Sequence, residues 1–193
     1  LTAGFGPLLP AGQTPAATRA LGAADDQTVL TQQGPQVTAS QSGAAFFETP
    51  YGEPANVLDG DPATAWLFGD FRRAPGVTLD VRFTQPQTLD AVTIRPVALG
   101  SVHIGRVTLT AGGVRATVDL PDSGVATVDL GGVRADGVHL RVDSIRGEGY
   151  SLVGIAELGL PGPTVTRIGR LPVSFDAAYA SLDASGRAKV AAT

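Results

Sequence analysis

The sequence predicts an all-β fold, an antiparallel β-sandwich of roughly eight short strands. Three observations predict it. Apolar residues come in short alternating runs, not in helical stripes. Turn residues punctuate the chain every few residues, with 25 Gly and 14 Pro among 193 positions. And one dense stretch, Asn56-Val57-Leu58-Asp59-Gly60-Asp61-Pro62-Ala63-Thr64-Ala65-Trp66, reads as an ordered turn that delivers the only tryptophan back into a core.

Taken in order, residues 1–34 are rich in Ala, Gly, Pro, Thr and Gln without a sustained period, and read as an irregular arm or linker. A first strand is expected over Gln36-Val37-Thr38-Ala39-Ser40. A loop carrying Phe46, Phe47 and Tyr51 follows, then one helical turn from Pro54 to Leu58, with Pro54 near its start. A second loop, residues 68–75, mixes Phe68 and Phe71 with Arg72 and Arg73.

Val77, Leu79, Val81 and Phe83 then share one face of a strand, and Thr78, Asp80 and Arg82 the other. Gln85-Pro86 is expected to end it, and a new strand to run over residues 89–97. Residues 106–111 and 114–120 form a hairpin about Gly112-Gly113. After the turn Pro121-Asp122-Ser123-Gly124, Val128 and Leu130 continue, and Gly131-Gly132 is expected to turn again. Val138, Leu140 and Val142 face in, with His139, Arg141 and Asp143 outward. A glycine-rich loop ending at Tyr150 leads to a last clear strand, residues 152–160, stopped by Pro161-Gly162-Pro163. The sandwich is thus placed at residues 35–162. Residues 163–193 form a C-terminal extension or the start of a further domain, with a strand over 165–173 and a helix over 176–191.

Composition removes several function classes. The net charge of −4 and the absence of a basic stripe argue against nucleic acid as a partner. With no Cys there are no disulfides, no thiol chemistry and no thiolate-bound zinc, which fits an extracytoplasmic bacterial protein. No apolar run approaches the ~20 residues of a membrane span. The chain begins at Leu1 and contains no Met, so we read it as an excised piece of a larger protein. Lys189 is the only lysine, and Ala is abundant, as in a GC-rich bacterial genome.

The dense stretch carries the most chemistry. Asp59, Asp61 and Thr64 can direct hard oxygens at one point, which suits calcium, and the alternative is a surface turn ahead of a core strand. It is not an EF-hand loop, because counting from Asp59 the sixth position is Thr64, where a glycine is needed. Together with Gly154-Ile155-Ala156-Glu157-Leu158-Gly159-Leu160-Pro161-Gly162, about ninety residues later, this stretch resembles the discoidin, or coagulation-factor type C, family. The galactose-binding-like jelly roll of that family also serves bacterial carbohydrate-binding modules.

The resemblance implies one structural calcium ion. Asp59 and Thr64 would contribute side-chain oxygens, Asn56, Asp61, Thr64 and Ala156 mainly backbone carbonyls, and Glu157 a carboxylate. A weaker resemblance concerns the parent. The Arg- and Ala-rich sequence, with the run Arg167-Ile168-Gly169-Arg170-Leu171-Pro172 after the module, looks like the large membrane arabinofuranosyltransferases that build actinobacterial cell walls. That would place the module on the extracytoplasmic side of a membrane-anchored parent, without a membrane span of its own.

Catalysis by the chain itself is disfavoured. Two His, no Cys and no Gly-x-Ser-x-Gly leave little for nucleophilic chemistry, and the best carboxylate cluster is better used by calcium. Recognition of a polysaccharide is the leading reading. It needs aromatic faces for sugar C–H groups and polar tips for hydroxyls. The loops offer Phe46, Phe47, Phe68 and Arg146, and more strongly Tyr51, Phe71 and His103. Arg72, Arg73 and Tyr150 are the preferred contacts, because packing explains polar-tipped loop residues less readily. The alternative is a structural β-sandwich that docks within its parent without binding free glycan. Docking of the aromatic loops on anionic lipid is disfavoured by the negative net charge.

Overall fold

The computed structural model describes residues 29–43, 52–69, 73–149, 151–162, 164–170 and 173–191. The chain divides into two compact units, Gly34–Thr166 and a second made of Leu1–Gln33 with Arg167–Thr193. The strands are β1 (Val29–Gln33), β2 (Gln36–Ala39), β3 (Trp66–Gly69), β4 (Thr78–Ala98), β5 (His103–Ala111), β6 (Val114–Asp119), β7 (Ala126–Arg146), β8 (Leu152–Gly159) and β9 (Thr166–Arg170). Helices α1 (Val173–Ala180) and α2 (Ala184–Ala191) follow, and a 3₁₀ turn spans Pro54–Leu58.

The larger unit is an antiparallel β-sandwich built on two long strands. β4 and β7 each have 21 residues, which at ~3.3 Å per residue would extend about 70 Å if straight. They bend instead, and each serves two layers. In the first layer the early part of β4 lies between β2 (Thr38 opposite Asp80) and the late part of β7 (Leu79 opposite Leu140), which continues to β5 and β6. In the second layer the late part of β4 lies between the early part of β7 (Val92 opposite Val128) and β8 (Arg95 opposite Glu157), with β3 beyond.

The bend has a local cause. Residues 83–86 of β4 oppose Asp136 alone, and residues 130–132 of β7 oppose Asp90 alone, with three regular pairs between the two irregularities. Such bulges turn a strand without ending it. Gly131 and Gly132 take φ of 63° and 76°, which other residues rarely adopt, and the Asp129 carboxylate accepts from the Gly131 amide at 2.8 Å. Gln85-Pro86 and Gly131-Gly132 therefore lie within continuous strands, where strand ends were expected from the sequence.

Alternation along both strands fills the space between the layers. Leu79, Leu89, Val92 and Ile94 of β4 meet Leu140 and Val142 of β7, Leu109 of β5 and Ile155 of β8, each fully buried. Burying each such side chain contributes about 1.5–3 kcal/mol relative to exposure. β3 departs from the expected loop over residues 68–75. Trp66, Leu67, Phe68 and Gly69 are all buried, since Trp66 and Phe68 enter the main core while Leu67 packs with Ala65, Ala156 and Val97 on the other side.

The smaller unit contains the β1–β9 pair and the two helices. β1 lies within the stretch read as an irregular arm. The region read as one helix over 176–191 is two helices, separated where the Asp183 carboxylate accepts from the Gly186 amide at 2.7 Å at the start of α2. Among the described residues, no helix is long and apolar enough to cross a membrane.

Candidate functional site

The loop from Asp59 to Ala65 is held by its own side chains. The Asp59 Oδ1 accepts from the Asp61 amide at 2.9 Å, and Asp61 Oδ1 from the Ala63 amide at 2.9 Å. These are two successive Asx-type turns. Thr64 Oγ1 donates to Asp59 Oδ2 at 2.8 Å and lies 3.0 Å from the Asp61 carbonyl, which the Thr64 amide also reaches at 3.1 Å. Asn56 is fully buried, and its Nδ2 donates to the Ala65 carbonyl at 3.1 Å. Trp66 Nε1 donates to the Gln41 carbonyl at 2.8 Å, and its ring lies 4.3 Å from that of Phe68. Trp66 is thus a core anchor for the loop.

Glu157 comes to this loop from β8. Burial raises its carboxyl pKa above the usual range, and the negative charges of Asp59 and Asp61 add to that while Arg95 opposes it. Glu157 Oε1 is buried without a hydrogen-bond partner. An orphaned carboxylate oxygen beside two further carboxylates is what a hard cation would satisfy. Among the described residues no three Asp, Glu, His or Cys side chains form a ready metal cluster. A cage here therefore needs backbone carbonyls as well, and the residue set expected from the sequence includes those of Asn56, Asp61 and Ala156. With that provision the residues fit calcium.

The expected sugar contacts divide by position. Tyr51, Phe71, Arg72 and Tyr150 lie outside the described residues, as do Phe46 and Phe47. Arg73 is exposed ahead of β4, its carbonyl accepting from Gln41 Nε2 at 3.4 Å. His103 opens β5, with Nδ1 3.8 Å from Asp122 Oδ1. Arg73 and His103 belong to segments gathered at one end of the sandwich, where Gly76 bonds Val142, Leu99 bonds Leu152 and Ser101 bonds Glu148. The acidic loop lies at the opposite end of β3.

Two candidates have structural duties instead. Phe68 is fully buried and belongs to the core, because β3 is covered on both faces. Arg146 donates to the carbonyls of Gly105 (3.2 Å) and Leu120 (2.8 Å) and pairs with Asp122. That guanidinium holds the Asp122 carboxyl below the usual range. A further pair was not singled out from the sequence. His139 Nδ1 meets Asp80 Oδ1 at 2.8 Å across β4 and β7. Alternation places both side chains outward, but only the strand register brings them together.

The sandwich has the fold of the galactose-binding-like domains. The family 32 carbohydrate-binding module of Clostridium perfringens NanJ, solved with galactose, matches it with a TM-score of 0.50 at 19% identity, covering 70% of this chain and 99% of that one. The particular likeness is to mycobacterial arabinofuranosyltransferases. The cryo-EM structure of arabinofuranosyltransferase AftD from mycobacteria contains a match with a TM-score of 0.61 at 19% identity, covering 76% of this chain and 12% of that one. In sequence, 69 residues are 39% identical to an α-(1→3)-arabinofuranosyltransferase of Mycobacterium tuberculosis, 34% of this chain and 5% of that protein. The chain thus corresponds to a small part of these relatives. No protein-family model matches it.

Proposed function

We propose that the chain is a non-catalytic carbohydrate-binding module. It recognises cell-wall polysaccharide of the arabinan or galactan type for a larger membrane-associated parent enzyme, on the extracytoplasmic side, and it carries one structural calcium ion. The observation that carries this reading is the match of the sandwich to nearly the whole of a module solved with galactose. The 39% identity to an arabinofuranosyltransferase over 69 residues supports the parent and the choice of glycan.

Calcium would be held by side-chain oxygens of Asp59 and Thr64, the Glu157 carboxylate, and carbonyls of Asn56, Asp61, Thr64 and Ala156. The partnerless Glu157 Oε1 supports this assignment. The ion would join the acidic loop to β8, constraining two segments about a hundred residues apart in sequence. Glycan contact is assigned to Arg73 and His103 at one end of the sandwich, and, from the sequence, to Arg72, Phe71, Tyr51 and Tyr150. Retention of the purified chain on immobilised arabinan or galactan in calcium buffer tests the proposal. Binding to one of them is expected, and passage through both would overturn it.

A further inference from the structure

A concave surface of about 790 Å³ lies on the outer face of the first layer, extending toward the β5–β6 hairpin. Its origin is in the register. Leu79, Val81, Val138 and Leu140 point into the core, so Asp80, Arg82 and His139 point out. The register sets Thr38, Asp80, His139 and Thr110 in one row across β2, β4, β7 and β5. Four strands at ~4.8 Å spacing make that row about 14 Å long. Gly137 beside Arg82 lowers the floor. Pro86, in the bulge of β4, and Gly112, in the β5–β6 hairpin, form the sides.

We propose that this groove is a second glycan-binding surface, which takes a neutral furanosyl chain lying across the strands. The proposal rests on the reading of the chain as a carbohydrate-binding module and adds a location and a sugar class to it. Charge on the groove is balanced: Asp80 and Asp136 against Arg82 and Arg134. An anionic or cationic ligand gains nothing there, whereas a hydroxyl-rich neutral one finds donors and acceptors alternating along the row. The Asp80–His139 bond at 2.8 Å fixes both groups before a ligand arrives, which lowers the ordering cost. Among the described residues, no Trp, Tyr or Phe lines the groove. Those residues offer no flat face to stack on the C–H surface of a pyranose ring. A furanose ring, with its hydroxyls and exocyclic arm, depends more on hydrogen bonds. The row's length suits several sugar units, not one.

The test is a ¹⁵N–¹H titration of the intact chain with a linear arabinofuranosyl hexasaccharide, repeated on Arg82→Ala and Thr110→Val. The expected result is shifts at Thr38, Arg82, Thr110 and Gly137. Arg82→Ala should also weaken binding about tenfold, the loss of one charge-assisted hydrogen bond, with an unchanged thermal melt. Shifts confined to the surroundings of Arg73 and His103, with both variants binding as the parent sequence does, would overturn the groove and leave the module reading intact. Absence of shifts with arabinan and galactan oligosaccharides alike would overturn both. If either variant fails to fold, the shift map of the unaltered chain decides.

Discussion

Asn56 Nδ2 donates to the Ala65 carbonyl at 3.1 Å, a buried bond that clamps the two ends of the acidic loop across nine residues. Asn56→Ala would leave that carbonyl without its amide partner in a site closed to water. A buried polar group left unsatisfied costs about 1–3 kcal/mol. We expect the urea midpoint to fall by a corresponding amount with an unchanged m-value, and any calcium-dependent rise in Tm to shrink, because the carbonyls of the loop lose their positions.

Glu157 separates a metal site from an ordinary turn. Its Oε1 has no partner, and Asp59 and Asp61 repel its charge. A neutral isostere relieves that repulsion when no ion is present. Glu157→Gln should therefore melt no lower than the unaltered chain in chelator. In calcium, the unaltered chain should gain several degrees and the variant little. Equal melts of the unaltered chain with and without calcium, and no calcium by elemental analysis, would remove the ion from the account.

Gly154 carries the close contact of β3 with β8. It pairs with Leu67, and a Cβ at this position would overlap the Trp66 carbonyl. Gly154→Ala must push the backbones apart at the point where Trp66 enters the core. Overpacking of this kind costs about 1–3 kcal/mol or more. A loss of stability by chemical denaturation, together with a changed near-ultraviolet signal from the only tryptophan, is the expected pair of observations.

Asp122 gives a pH dependence with a definite sign. Its pairing with Arg146, foremost, and the nearby His103 lower its carboxyl pKa in the folded chain. The folded state thus binds fewer protons than the unfolded one as pH falls into the carboxylate range. The contribution is complete above the ordinary aspartate pKa and disappears as pH drops through the lowered value. Urea denaturation against pH should show Asp122→Asn with a shallower acid limb than the unaltered chain.

The sequence and the structure agree where one face of a strand meets solvent. Val77, Leu79 and Val81, and Val138, Leu140 and Val142, alternate because their neighbours are half-buried or exposed, and the period of two survives in the sequence. The acidic loop was legible for a similar reason, since Asp59, Asp61 and Thr64 bond within a few residues of themselves. β3 left no such pattern, because Leu67 is buried on one side and Trp66 and Phe68 on the other. Gln85-Pro86 and Gly131-Gly132 carry the same residues whether they end a strand or bulge it, and only the pairing of β4 with β7 distinguishes the two. The Asp80–His139 pair depends on that pairing as well, joining residues 59 positions apart.

Recognition of cell-wall glycan is the central claim, and a glycan array of the purified chain in calcium buffer, including arabinan and galactan fragments, tests it most directly. Selective binding to arabinofuranosyl or galactan chains is expected, weakened on substitution of Arg72, Arg73 and Tyr150. Silence across the array at millimolar sensitivity, with tight binding to the remaining domains of the parent, would contradict it and make the sandwich a scaffold that packs within its own enzyme.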